Sequence, residues 1–366
     1  MPLRRGFTLI EMVVVLAVFV LLLGLSAGAY LTFRKDMEVR GAAGRITALI
    51  QAAHNSALSE RQRTFIVEEN IFVSGNLERS RISSFGLKTV GLWHFDDEDK
   101  IVSDGVSSGY GGDIQVQGAV PVQGRIGSGL KLDVGSLTCP ANPDFSPPEG
   151  VAAEMWVKFA RTEEISPTVG DCTLISLGTA YRFYVEGSRL CLQMAGQKLQ
   201  SQTDDGSPYY LLPDRWLLLS FGYDAYTRRL ALYVDRVERG HLDLGDDFLL
   251  PEETSDLTVA SGLQGVVDEV KLMGVLESAG YVLPGGLALD IPRELAGSVP
   301  YIRRYDSGDE SRYIKITAFD DKGWLDPMMG GSATIGFYNY FYPADDASRR
   351  TFLINRQGVL ESQGGG

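Results

Sequence analysis

The chain is predicted to be an α+β protein: a long N-terminal helix, a small antiparallel sheet packed on it, and an all-β sandwich. Three observations predict this. An uncharged apolar run at 12–33 is followed by apolar residues at the helical period. Beyond it, short runs of alternating apolar and polar residues recur, separated by Gly, Asp and Ser turns. Near the end of the chain, Gln357-Gly358 parts two alternating runs, a hairpin signal.

The helix comes first. As a helix, the 22 residues of 12–33 span about 33 Å, enough for the hydrocarbon core of a bilayer. Arg4 and Arg5 precede the run, which places the N-terminus inside and everything after Phe33 outside the cytoplasm. Glu11 is the one acid at the head of the run. An acid within a membrane helix costs about 2.5–3.5 kcal/mol on insertion scales, so it needs a partner or a function. Gly24 and Gly28 put small residues four apart on one face, which permits close helix contact. Val39, Ala42, Ala43, Ile46, Leu49, Ile50, Ala53 and Ala57 then recur near the helical period, with Arg40, Arg45, Gln51 and Asn55 opposite. One helix is expected over 7–61, transmembrane at 12–33 and amphipathic at 37–58.

The opening string MPLRRGFTLIE resembles the type III signal of the type IV pilin and pseudopilin superfamily. The resemblance implies a leader of residues 1–6, cleavage by prepilin peptidase between Gly6 and Phe7, and methylation of Phe7 as the new N-terminus. It implies that Glu11 pairs with the N-terminal amine of a neighbouring subunit and sets the filament register. The competing reading is an ordinary secretory signal cut near Ser26-Ala27-Gly28-Ala29, but secretory apolar regions are shorter and rarely carry an acid.

Two further pieces extend the resemblance. RITALIQAAHNSALSERQRTFIVEE (45–69) resembles the H-type minor pseudopilins of type II secretion and their FimT-like relatives. It implies a first strand at 64–67, with 71–73 following. SATIGFYNYFYP (332–343) and RTFLINRQGVLES (350–362) resemble that family's closing strands. Together they imply a discontinuous β domain of residues 62–87 and 278–366, in which about 64–85 and 300–362 pair in one small antiparallel sheet against the amphipathic helix.

The middle of the chain reads as all-β from its residues alone. Alternating runs stand at 173–177, 181–185, 190–194, 216–221, 230–234 and 266–272. Gly187-Ser188, Asp205-Gly206, Asp214 and Gly245-Asp246 supply turn chemistry between them. Many short strands with regular turns argue a sandwich. The strings GLWHFDDE (91–98), GRIGSGLKLD (124–133), AAEMWVKF (152–159), RWLLLSFGYDAYTRRLALYVD (215–235) and GVVDEVKLM (265–273) resemble, in order, the laminin-G-like, concanavalin A-like jelly rolls. This implies a jelly-roll domain at 88–277, inserted in the discontinuous sheet. Arg236 stands where that family usually has glycine, which is expected to lengthen or retwist the turn.

Composition and residue chemistry narrow the function. A net charge of −13 disfavours wrapping of nucleic acid. Three cysteines, Cys139, Cys172 and Cys191, leave one disulfide plus one thiol open as an arrangement, and none stands in a zinc-type C-x-x-C. The paired carboxylates of a retaining glycosidase would need an E-x-D-x-x-E or similar string, which is not found. His54, His94 and His241 lack a nearby Ser or Cys motif, so a non-enzyme is expected. Several jelly rolls of this kind hold one structural calcium between first and last strands, and Asp96 and Asp268 match those places. Edge carboxylates making turn hydrogen bonds would look the same. For sugar, Trp93, Trp156 and Trp216 read as core, whereas Tyr110, Tyr209 and Tyr210 sit in Gly/Ser/Asp-rich loops and are the glycan candidates. Trp324 reads as a plug of the outer sheet.

The expectation is therefore a minor pilin or pseudopilin of a type IV pilus or a type II secretion system. It is held in the inner membrane by one span, assembled with other subunits, and displays a lectin-like domain at low copy or at the tip. A glycan-binding adhesin, or a membrane-anchored carbohydrate-active enzyme, is the alternative, with glycan or a secreted substrate as the further partner.

Overall fold

The computed structural model describes residues 9–60, 62–104, 106–107, 109, 111–162, 168–245, 248, 250–296, 298–299, 301–326, 332–341 and 349–363. Within the first helix the side chains of Glu11, Leu25, Ala27, Gly28, Ala29, Leu31, Thr32, Lys35 and Glu60 are outside that description. In chain order the elements are α1 (Leu9–Glu60), β1 (Thr64–Val73), β2 (Asn76–Trp93), α2 (Glu98–Asp104), β3 (Val106–Ser107), β4 (Ile114–Gln123), β5 (Ser128–Cys139) and β6 (Gly150–Phe159). Then follow β7 (Cys172–Leu177), β8 (Tyr181–Glu186), β9 (Arg189–Met194), β10 (Gln197–Gln200), β11 (Trp216–Asp224), β12 (Arg229–Val234), β13 (Val237–Asp243), β14 (Leu257–Ser261) and β15 (Gly265–Val282). The last are β16 (Leu287–Leu289), β17 (Ile302–Ser307), β18 (Glu310–Phe319), β19 (Ser332–Asn339), β20 (Arg350–Asn355) and β21 (Leu360–Gln363). Strand outweighs helix, and α1 is the one long helix among the described residues.

The chain forms two compact units. The first comprises Met1–Arg61, Phe65–Ser84 and Ala279–Gly366; the second comprises Gln62–Thr64 and Phe85–Ser278. The chain passes from one to the other inside β2 and inside β15.

In the helical unit, α1 has two halves of different character. Every described large apolar side chain from Leu9 to Phe33 is exposed, and Arg34–Glu38 and Asp36–Arg40 pairs, each 2.9 Å, follow directly. Beyond them Val39, Ala42, Ile46, Leu49, Ile50, Ala53 and Ala57 are buried, because their 3–4 residue spacing keeps them on one face. That face shares a core with Ile66, Ile82, Phe319, Ile335, Phe337, Phe352 and Ile354. Among the described residues, no helix is long and apolar enough to cross a membrane.

The strands over α1 form two sheets, not the single sheet expected. β1 pairs with β2 and with β18, and β18 pairs with β17. A separate sheet runs β16-β19-β20-β21. At the end of β18, Asp320 Oδ1 accepts from Lys322 N and Trp324 N, each at 2.9 Å, in the turn that follows the strand. Gln357-Gly358 lies in the turn joining β20 to β21, where Asn355 Oδ1 accepts from Gln357 N and Val359 N. The expected strands at 64–67 and 71–73 are one strand, β1.

In the sandwich unit, one layer holds β4, β5, β14, β7, β8, β9 and β10, each antiparallel to its neighbour. The other holds β15, β6, β11, β12 and β13. β5 joins them: Leu130 to Leu132 pair with β15, and Leu137 to Cys139 pair with β14. Alternation puts the inner faces against each other, so the Phe221 ring of β11 meets Phe183 and Tyr181 of β8 at 5.1 and 5.5 Å. Arg236 does not lengthen the hairpin: Val234 pairs with Val237 across a two-residue turn in which Asp235 and Arg236 both take positive φ, 51° and 65°. The irregularity lies further on, at Leu232/Tyr233.

Candidate functional site

Gly6 and Phe7 lie outside the described residues, and of Glu11 only the helical backbone in α1 is described. What precedes the packed half of α1 is a continuous apolar surface: Val13, Leu16, Phe19, Val20 and Leu23 all stand more than half exposed. Gly24 has open space around its Cα. In water this surface is unfavourable by about 25 cal/mol for each Å² of apolar area.

The two acids expected to hold calcium meet at one loop instead. Asp268 is fully buried, and its Oδ2 accepts from Arg125 N and Ile126 N at 2.7 and 2.9 Å. Asp96 Oδ1 accepts from Ser128 N at 2.8 Å, and Glu98 accepts from the Ser128 hydroxyl. A Cβ on Gly127, whose φ is +58°, would fall 2.1 Å from Asp96 Oδ1, so glycine lets the loop approach. The loop thus offers N–H donors to these carboxylates, and a cation would be repelled by them. Calcium takes six to eight oxygens. No group of three His, Cys, Asp or Glu among the described residues could hold a metal. Asp268 Oδ1 is buried with no hydrogen-bond partner, and burial pushes its carboxyl above the ordinary value. The residues do not fit calcium; they clamp loop 124–128. His94 Nδ1 lies 2.8 Å from Oε2 of Glu269, the residue after Asp268 in β15.

The aromatic residues sort differently from their expected places. Trp93 is core, with Nε1 donating to Gly112 O at 2.8 Å. Trp156 and Trp216 are not core. Trp156 alternates with Met155 and Val157 and so points outward, under the Arg125 guanidinium at 5.0 Å. Trp216 opens β11 and is half-buried. Trp324 is 47% exposed and plugs no sheet. Tyr110 lies outside the described residues. Tyr210 is exposed, but the ring of Tyr209 is covered by the Arg239 guanidinium at 4.3 Å.

The three cysteines are free, buried thiols on three strands, so the open disulfide does not form. Burial pushes Cys139 up to about 11 and Cys172 up to about 12, as befits small apolar fillers.

One buried ion pair was not anticipated. Glu68 and Lys315 are buried in the helical unit with Lys315 Nζ 3.0 Å from Glu68 Oε1, and Lys315 also donates to Thr334 O on the second sheet. Asn70 makes a similar bridge: its Oδ1 accepts from Ser80 Oγ and its Nδ2 donates to Leu289 O at 2.7 Å. Glu68 alternates inward with Ile66 and Asn70 along β1, which is the signal the sequence carried. Burial raises its carboxyl to about 7, against the opposing pull of Lys315.

Residues 1–27 match the prokaryotic N-terminal methylation motif. This motif indicates a type IV pilin or pseudopilin, processed by prepilin peptidase and assembled with other pilin subunits. No curated protein matches the chain. Among solved structures, it is similar to domain 4 of a GH43 extracellular arabinanase from Geobacillus stearothermophilus, in complex with arabinotriose. The identity is 16% and the TM-score 0.38, covering 52% of this chain and 94% of that one. It is also similar to the binding domain of Paraclostridial Mosquitocidal Protein 1, at 13% identity and TM-score 0.38, over 53% of this chain and 48% of that one. A Trypanosoma rangeli sialidase in complex with sialic acid follows, at 13% identity and TM-score 0.35, over 50% of this chain and 30% of that one. The match thus spans less than half the length of the last two.

Proposed function

We propose that this chain is a minor pilin or pseudopilin subunit that assembles through α1 and displays its sandwich as a binding lobe. The observation that carries this reading is the division of α1. Its described large apolar side chains from Leu9 to Phe33 are exposed, while Val39 to Ala57 close a core with the strands of their own unit. A helix built that way has one half for a bilayer or a helical bundle and one half for its own domain.

Charge completes the account. Arg4 and Arg5 hold the leader on the cytoplasmic side until cleavage after Gly6. The freed amine of Phe7 and the carboxylate of Glu11 are then opposite charges in a low-dielectric layer. Pairing Glu11 with the amine of an adjacent subunit removes the cost of both and selects one axial register. A display lobe of this size suits a tip or low-copy position better than the repeating body of a filament. Mass spectrometry of the native protein tests the reading: it requires an N-terminus at methylated Phe7, and a terminus near Ala29 overturns it.

A further inference from the structure

The sandwich holds a groove of about 380 Å³ between the turn at 202–206 and strand β13, lined by Gln202, Thr203, Asp204, Glu238, Arg239 and His241 among others. We propose that this groove binds a neutral mono- or disaccharide; the proposal rests on reading the sandwich as a displayed binding lobe. The volume lies within the ordinary range of small-molecule sites, about 300–1,000 Å³.

Both walls are held in place without a ligand. In the turn, Thr203 N donates to Ser207 O at 2.8 Å, Gly206 N to Thr203 O at 2.9 Å, and Ser207 N to Asp205 Oδ1 at 3.0 Å. Gln202 N donates to the Arg239 carbonyl and ties the turn to β13. The approach is close enough that a Cβ on Gly240 would stand 3.1 Å from Gln200 O. On the β13 side, Glu238 Oε1 accepts from Arg229 Nη2 and from His241 Nδ1, each at 2.8 Å, so the carboxylate is oriented along the wall. Arg239 lies flat on Tyr209, and its Nε is buried with no hydrogen-bond partner.

The lining selects the ligand class by exclusion. An anion would meet Asp204 and Glu238, with Asp205 adjoining in the turn. A cation, drawn to those two carboxylates, would meet the Arg239 guanidinium on the same wall. An apolar molecule would cover the polar side chains of Gln202 and Asp204 without partnering them, at about 1–3 kcal/mol for each group left unpaired. A sugar hydroxyl both donates and accepts, so one neutral ligand can answer the acids, the guanidinium and the amide together. Arg239, rather than Tyr209, presents the flat surface, because it covers that ring.

The test uses the full chain in a zwitterionic detergent without a sugar headgroup. Cellobiose, maltose, xylobiose and N,N′-diacetylchitobiose are titrated calorimetrically, with 3′-sialyllactose as the acidic comparison. At least one neutral disaccharide should bind saturably, and Arg239→Ala and Gln202→Ala should each weaken it about tenfold or more while leaving thermal unfolding unchanged. Hydrogen exchange on the wild type, which needs no variant to fold, should show that sugar slowing at 199–209 and 237–243. Binding of none of the four, protection elsewhere, or preference for the sialylated sugar overturns the proposal. Failure here with a mature N-terminus at Phe7 leaves the filament reading standing. A terminus near Ala29 with sugar binding intact removes the filament reading and leaves the groove.

Discussion

The helical unit and the sandwich unit close their interiors in opposite ways. The sandwich core is apolar and aromatic, with Trp93, Phe145, Phe159, Tyr181, Phe183 and Phe221 interleaved between two layers. Its buried carboxylate, Asp268, serves to hold a loop at the edge. The helical unit instead buries Glu68, Asn70, Ser80, Lys315 and Thr317 between its two sheets, and leaves half of its helix uncovered. The difference teaches that one unit is finished by its own chain and the other by its surroundings. A buried ion pair adds little net stability but specifies which groups meet. That is useful in a unit whose strands must divide correctly between two small sheets.

The strongest way to break this comparison is to hollow one core and watch the other. Phe221→Ala should cost about 3–5 kcal/mol, as large aromatic truncations do. Hydrogen exchange should then show protection lost across 85–278 and retained in α1 at 39–57. Loss of protection in both would mean that the units unfold as one.

Glu11→Ala tests the uncovered half of α1. Removing the acid deletes its attraction to a neighbour's amine along with the cost of holding it in the membrane, and a loss of about tenfold or more in incorporation is expected. Filament incorporation should fall by that order, with monomer abundance and both folded units unchanged. Normal incorporation would show that Glu11 is not the register charge in this subunit.

Two carboxylates, one in each unit, titrate in opposite directions. Glu68 has a folded value of about 7, above the model-compound 4.5, so the folded state binds its proton more tightly than the unfolded state. The helical unit should therefore lose stability as pH rises from about 4.5 to about 7, by up to about 3 kcal/mol at 1.36 kcal/mol per pH unit. Glu253 in the sandwich runs the other way. Hydrogen bonds from Thr179, Thr254 and Ser255 hold it near 2, so its contribution is present above 4.5 and lost as pH falls toward 2. Unfolding followed by unit-specific hydrogen exchange at pH 3, 5 and 7.5 checks both slopes. Glu68→Gln should flatten the helical unit's profile and leave the sandwich's unchanged.

The smallest effect is at the β12–β13 turn. Arg236→Gly removes one non-glycine residue from the left-handed region and should stabilise the sandwich by about 1 kcal/mol, read from its thermal midpoint. A midpoint that falls would mean that the Arg236 side chain contributes more than its backbone strain removes.

What could be read from the sequence was what repeats locally. Ile46, Leu49, Ile50 and Ala53 announced a packed helical face because burial on a helix follows its 3.6-residue period. The uncharged run before them and the RRGFTLIE string announced the N-terminal methylation motif, since charge placement around an apolar segment is itself a linear pattern. Alternation at 216–221 and 230–234 announced β11 and β12, and Gln357-Gly358 announced the last turn. Alternation misled only in side: Trp156 lies in β6, as expected of a strand, but on its outer face.

Tertiary structure decided everything that depends on which distant residue arrives opposite. Asp268 and Asp96 were legible as matching strand ends. Their use as clamps was not, because Arg125, Ile126 and Ser128 lie up to 143 residues away in the chain. Tyr209 was legible as a loop aromatic, yet Arg239 lies over it and turns a platform into a support. Cys139, Cys172 and Cys191 were legible as three thiols, and only the strand order keeps them unpaired. The closing strands fall in two sheets that the Lys315–Thr334 and Asn70–Leu289 hydrogen bonds bridge, contacts that no local pattern announces. Periodicity encodes which side of an element is buried; the partner on that side is chosen by long-range packing, which no local pattern records.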